Sequence, residues 1–355
     1  MSDAASDTSD TSGTNSPATN CNAACVAAGG TCRGNTCAIE CRAGPAPCNE
    51  AGAVLVCPEG MDCEVECKAR GACRAAIRCA PGHRCDIECG EDDTCTQPLE
   101  CAAGSDCLFE CRGDRSCSGT APIQSAATGQ LSLGCRGVDS CAGGVQCQND
   151  SCDIDCSGAG ACAGLATLTP ANLTVFCGGD NSCAGPSVLT CSASQSCRVF
   201  CTGAGSCRAG VACDADVVTC SLLCEGPQTC RAGASCDALG CEVRCDEGSC
   251  DTARCNAGGS GSCSISCGSD SCSQRVDCTS VEADCMVTCT DNACQGVVRC
   301  DAGSNCSLDC RGAGACPSGG TCTADFCGID CGSNASCAAN AACSADVVVN
   351  DCPAG

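Results

Sequence analysis

Along residues 63–106, apolar and polar positions alternate in short bursts separated by runs of small and polar residues: CEVECKARGACRAAIRCAPGHR, then CDIECGEDDTCTQPLECAAGSD. In both segments cysteines stand at offsets 0, 4, 10 and 16, and the next segment begins at offset 22. A fixed period of this size marks a solenoid or array, whose repeats bury their apolar faces only against neighbours. The period runs through Cys37, Cys63, Cys85, Cys107, Leu131, Cys152, Leu173, Cys197, Cys220, Cys241, Cys263, Cys285, Cys306 and Cys327, fourteen starts in all. Two residues beyond each start the chain is apolar, from Ile39, Val65 and Ile87 to Leu308 and Ile329. The order Cys, polar, apolar, polar, Cys predicts a strand with its cysteines and central apolar residue on one face. The second half of the repeat keeps the parity, since Cys73, Ala75, Ile77 and Cys79 share one face. Each coil is therefore predicted to be a five-residue strand, a turn such as CRGDRSC, a seven-residue strand and a turn such as CAAGSDC. Gly, Ser, Asp and Asn crowd both turns, as positive φ and side-chain-closed turns require.

Cysteines four apart on one strand are separated by roughly 13 Å, too far for a disulfide. The remaining local choice joins second to third and fourth to next first, across each turn. Wherever the first cysteine is replaced, at Leu131 and Leu173, the preceding fourth is missing too, from 118–130 and from 163–172. Loss in pairs implies bonding in pairs. The assignment gives Cys67–Cys73, Cys79–Cys85, Cys89–Cys95, Cys101–Cys107, Cys201–Cys207 and so on to Cys343–Cys352. Among Cys21, Cys25, Cys32 and Cys37 several pairings fit.

Composition agrees with this plan. The 355 residues include 56 Cys but no Trp, no Tyr and four Phe, so disulfides stand where a large-residue core would be. Such a load belongs to an oxidising compartment, extracellular or at the cell surface. The unbroken period argues for one elongated body. Residues 1–20 read as a disordered acidic Ser/Thr/Asp tether, 21–62 as an N-terminal cap with an irregular first coil, 63–343 as the solenoid, and 344–355 as a closing segment. The tether has no apolar run, so a secretory leader is expected upstream, and no stretch is long enough to span a membrane. It resembles the linker behind the lipidated cysteine of bacterial surface lipoproteins, which implies a lipid anchor upstream. The cysteine-free stretches 118–130 and 163–172 are expected to project together from one side.

The six-residue cysteine spacing and small-residue core resemble the disulfide-rich β-helical antifreeze proteins of insects. That resemblance implies stacked short coils stapled at their turns. It stops at the Thr-x-Thr array of those proteins, because the matching positions are Glu64 and Glu66, Asp86 and Glu88, Asp153 and Asp155, Ser264 and Ser266. By composition, with Lys68 the sole lysine, the chain is similar to cysteine-rich exported proteins of GC-rich Gram-negative bacteria such as myxobacteria.

The candidate chemistry lies in one column. A solenoid stacks equivalent positions about 4.8 Å apart, and offset 3 reads Glu40, Glu66, Glu88 and Glu110 in the first four coils, with Glu64 and Asp86 beside it at offset 1. Stacked carboxylates repel unless cations or protons intervene, and they suit a hard ion such as Ca²⁺. The alternative is a solvated acidic face that keeps the rod soluble. A net charge of −24 argues against nucleic acid and anionic membranes as partners. Neither Cys-x-x-Cys nor Cys-x-Cys occurs, which weighs against thiolate metal sites. His83, the single histidine, sits in the turn CAPGHRC and offers little for nucleophilic catalysis. Arg112-Gly113-Asp114 occupies the turn that reads TGAG elsewhere, and Asn149, Asn172, Asn305 and Asn334 begin glycosylation sequons.

The fold expected is an all-β, elongated parallel solenoid of about fourteen coils, right-handed as parallel crossovers nearly always are. Two sheets are expected, with a three-sided cross-section as the alternative. The function expected is an exported, non-enzymatic structural rod in cell-surface or matrix contact. A binder of ice, mineral, divalent cation or polysaccharide is the alternative, and a carboxylate-based β-helix carbohydrate-active enzyme the second.

Overall fold

The computed structural model describes residues 23–119, 121–126, 128–331, 342–344 and 347–350. The expected tether, the pairing of Cys21 and the Cys343–Cys352 bond fall outside these residues. Each coil contributes one strand to each of two parallel stacks, so the cross-section is two-sided. In the first stack, strands run from Thr36–Cys41 and Asp62–Cys67 to Asn305–Asp309 and Phe326–Asp330. Every repeat start aligns with the next, as Cys37 with Cys63, Cys63 with Cys85 and Leu131 with Cys152. The fourteen repeat starts are joined by thirteen successive parallel pairings, which makes about thirteen full turns, and Val347–Asn350 adds one more parallel strand beyond Phe326–Asp330. The apolar residue two beyond each start is buried in every rung. Opposite it, Leu55, Ile77, Leu99, Ile123 and Val145 line the second stack.

The predicted seven-residue second strand contracts to three residues in the early coils, such as Ala76–Arg78 and Leu99–Cys101. The cause lies at the third cysteine. Cys73, Cys95, Cys117, Cys207 and Cys294 are among eleven third-position cysteines in the left-handed region, with φ between 40° and 56°. A left-handed residue cannot continue a strand. It lets the chain reverse, aims Sγ back at the second cysteine, and leaves its N–H pointing along the rod. Cys95 donates to Ala72 O (3.3 Å), Cys117 to Thr94 O (2.9 Å) and Cys207 to Ser182 O (3.0 Å). The residue before this cysteine is small and buried, as Thr94, Ser116, Ser140, Ala161, Ser182 and Ser206 are. The corner thus carries its own hydrogen-bonded ladder beside a disulfide column.

Among the described residues, thirteen disulfides close this first corner, Cys67–Cys73, Cys89–Cys95 and Cys201–Cys207 among them. Eleven close the second corner, including Cys79–Cys85 and Cys101–Cys107. Cα atoms of bonded partners lie 5.6–6.5 Å apart, the range a disulfide spans without moving backbone. In the cap, Cys25 bonds Cys37, and Cys32 is also disulfide-bonded. There a short helix, Ala23–Ala27, leads to the strand Thr31–Arg33, which pairs antiparallel with Thr36–Cys41. This hairpin covers an edge that would otherwise offer a row of unpaired backbone groups.

The two cysteine-free stretches do not project together. Residues 123–125 pair in parallel with 99–101 and 145–147, and 167–168 pair with 190–191. Ser125 takes the fourth-cysteine position with Leu131 opposite, and Leu168 aligns with Cys191 while Leu173 aligns with Cys152 and Cys197. All four are buried. Three leucines and the small Ser125 replace the cysteines inside the same corner because the ladder on either side fixes the backbone. Leu168→Cys with Leu173→Cys is therefore expected to form a further disulfide. Intact mass showing the loss of two hydrogens checks it, and two persistent free thiols would show that the corner is too wide.

Further along, strands Val211–Cys224 and Ala234–Cys245 run unbroken round the second corner. They link both faces into one 23-stranded sheet, leaving a five-stranded sheet on the second face near the N-terminus. Among the described residues, no helix is long and apolar enough to cross a membrane.

Candidate functional site

The outer face of the first stack presents two side chains per rung. Glu40 aligns with Glu66, Glu66 with Glu88, and Glu88 with Glu110, while Glu64 aligns with Asp86. The structure thus brings the six carboxylates together. Glu64, Glu66, Asp86, Glu88 and Glu110, with Arg112, line a shallow groove of about 160 Å³.

A basic column, two residues beyond the acidic one, lies between the carboxylates. Arg42 bonds Glu40 (2.7 Å), Lys68 reaches both Glu66 and Glu40, and Arg112 bonds Glu88 (2.8 Å) and Glu110 (3.4 Å). Arg136 then joins Glu110 (3.6 Å) to Asp155 (3.4 Å). Arg33 lies 3.7 Å from Glu64, and Arg84 lies 2.8 Å from Asp86. The repulsion inferred from the acidic column is therefore offset by side chains of neighbouring coils. The signal is present in the sequence as Glu-Cys-Arg at 40–42 and 110–112, Glu-Cys-Lys at 66–68 and Asp-Cys-Arg at 309–311.

The first corner repeats the device. Asp93 sits between Arg70 (3.0 Å) and Arg115 (2.8 Å) of the adjoining coils. Asp92 accepts from the Asp114 N–H (3.0 Å), and Asp114 from that of Val138 (3.0 Å). Hydrogen bonds from Arg115 and Arg70 hold the Asp93 carboxyl below its ordinary pKa, those from Arg42 and Lys68 do so for Glu40, and that from Arg311 does so for Asp309. A carboxylate with a lowered folded pKa stabilises the fold above its unfolded pKa, and the contribution is lost as pH falls through the folded value. The melting temperature is therefore expected to stay level from neutral pH to about 4 and decline below it, with a shallower decline at high salt. Thermal melts across that window check this; a loss of stability centred near pH 6 would contradict it.

The remaining sequence candidates fall on structural positions. Grouped cysteines such as Cys57, Cys63 and Cys85 are neighbouring disulfides, with Cys57 Sγ 3.9 Å from Cys85 Sγ. His83 Nδ1 lies 3.8 Å from Asp62 in its turn. Arg112 and Asp114 are engaged by neighbouring coils as above. Asn149 is buried, whereas Asn305 is exposed and donates to Asp284 (2.7 Å).

The acidic column changes character at mid-rod. Following it through the register gives Asp155, Phe176, Phe200, Leu223 and Arg244. Three of the four phenylalanines thus face outward, Phe176 and Phe200 on consecutive rungs and Phe326 near the C-terminal end, while Phe109 fills the core. The chain matches no protein-family model, no curated protein and no solved structure, so its repeat, its disulfide ladders and the two columns of its outer face are what a functional reading rests on.

Proposed function

We propose that the protein is an exported, non-enzymatic rod, a rigid spacer or surface-contact element of the cell surface or its matrix. The observation that carries the reading is the pair of disulfide columns running along both corners. Such cross-linking persists in an oxidising compartment and is lost in a reducing one. It closes each turn, and it lets a chain with few large apolar residues keep a persistent shape. A non-catalytic role is favoured by the carboxylates themselves, which are engaged by Arg and Lys of their own and adjoining coils. Those pairs also compensate the acidic column without Ca²⁺, so the proposal requires no cofactor.

The test is a free-thiol count with intact mass on protein isolated from its native compartment. Complete oxidation in an extracytoplasmic or surface fraction supports the reading. Mostly free thiols, or recovery from the cytoplasm, would sink it.

A further inference from the structure

The chain has few aromatic rings, and two of them share one outward column on consecutive rungs. Phe176 pairs in register with Phe200, and Phe200 with Leu223, between Asp155 on one side and Arg244 on the other. Phe176 is 39% exposed despite its size. Its ring lies over the backbone of Gly178, where an added Cβ would stand 2.4 Å from a ring carbon. A bare glycine is what allows the ring to lie there.

Parallel to this apolar strip, two residues back along each strand, runs a polar one. Thr174 aligns with Arg198, Arg198 with Ser221, and Ser221 with Glu242. Ser221 donates to Glu242 Oε2 (3.1 Å). Arg198 makes no ion pair among the described residues, unlike the arginines of the acidic column. Arg198, Phe200, Ser221 and Glu242 line an open groove of about 630 Å³.

We propose that this double strip binds a linear, neutral, β-linked polysaccharide laid along the rod axis. A pyranose ring is two-sided: its C–H face packs on an aromatic ring, and its equatorial hydroxyls need hydrogen-bond partners at the edge. The strip offers both in parallel lanes about 7 Å apart. Rungs recur about every 4.8 Å, close to the advance of one sugar unit in an extended β-linked glycan, so successive sugars meet successive side chains. The net charge of −24 disfavours anionic polymers. Rigidity set by the disulfides keeps the lanes aligned, which limits the ordering cost of binding.

The experiment is depletion of the intact, oxidised protein from solution by cellulose, chitin and an insoluble β-1,4-mannan, all extended β-linked chains. The wild-type protein is expected to bind at least one of them, with an affinity little changed by salt. Phe200→Ala combined with Phe176→Ala weakens that binding about tenfold or more, about 1.4 kcal/mol. Gly178→Ala weakens it as well, by displacing a ring that it does not remove. Mass spectrometry confirms full oxidation of each variant, so loss of binding is separated from loss of fold. Absence of binding to all three glycans, or equal binding by the double variant, overturns the proposal. So does capture only by anionic polymers at low salt. A wild-type dimer that Phe200→Ala dissolves would assign the strip to self-association instead, and would overturn it too.

Discussion

Exhaustive reduction at neutral pH, without denaturant, abolishes the β signal in circular dichroism and opens the rod to proteolysis. The expectation follows from what fills the interior. Each rung buries one apolar side chain from the first stack, and most coils bury another from the second, from Leu55 and Ile77 to Leu189, Val276 and Val298, with cysteines making up much of the rest. Loops of six residues, such as Cys67–Cys73 and Cys201–Cys207, are each worth about 2 kcal/mol in the chain-entropy model, without simple additivity. Many coils each lose that constraint at once, and left-handed cysteines are then free to relax out of a costly conformation. A single-pair version isolates the effect. Replacing Cys201 and Cys207 by Ala lowers stability by about 2 kcal/mol, while Cys201→Ala with Cys207→Gly recovers about 1 kcal/mol, because glycine adopts positive φ readily. Urea titration of the two variants decides it. Equal midpoints would show that the left-handed corner costs nothing, and a reduced protein that keeps its β signal would show that apolar packing alone holds the coils.

The second large effect sits at the same corner. At Gly113, Gly137, Gly158, Gly179 and Gly203 an added Cβ would stand 2.0–2.2 Å from a carbonyl oxygen of the preceding coil. Because that atom is backbone, already held in the ladder, no side chain can swing aside. Gly158→Ala must therefore pry two coils apart, with an expected cost of about 3 kcal/mol, the upper end for overpacking. Coils contact only their neighbours, so the lesion is local and should split one cooperative transition into two. Gly328→Ala is the control: a methyl group there would meet nothing within 4 Å, and stability should move by about 0.5 kcal/mol at most. Calorimetry on both distinguishes them. A Gly158→Ala melt matching the wild type would mean that the coils are looser than the corner geometry indicates.

The strand positions, the inward column and the corner bonds are legible in the sequence because burial in a strand has period two, and because cysteines are lost two at a time. Ile154 and Leu222 could occupy no other face. The left-handed cysteines are not legible in this way: positive φ is read from Gly, Asn or Asp, and Cys73 carries no such mark. The second strand therefore reads as longer in the sequence than it is in the fold. Leu131 and Leu173 mark where sulfur is absent, yet a missing cysteine reads as a loop unless Ser125 and Leu168 are placed in register first. The basic column lies beyond each second cysteine, at positions that belong to the turn in sequence but to the acidic strand's neighbourhood in space. Phe176 and Phe200 are 24 residues apart rather than 22, so a fixed period passes over a pair that the register aligns.

At both corners, bonded cysteines among the described residues are only five to eight residues apart. For a chain threaded end first through a membrane channel, that spacing turns a combinatorial search among 56 thiols into a succession of nearest-neighbour choices. Each loop can be oxidised before the next cysteine has emerged, and every finished coil then serves as the template on which the following one is laid. For a chain delivered in that way, correct pairing would follow from the order in which thiols meet the oxidant, with little left for an isomerase to correct over long distances.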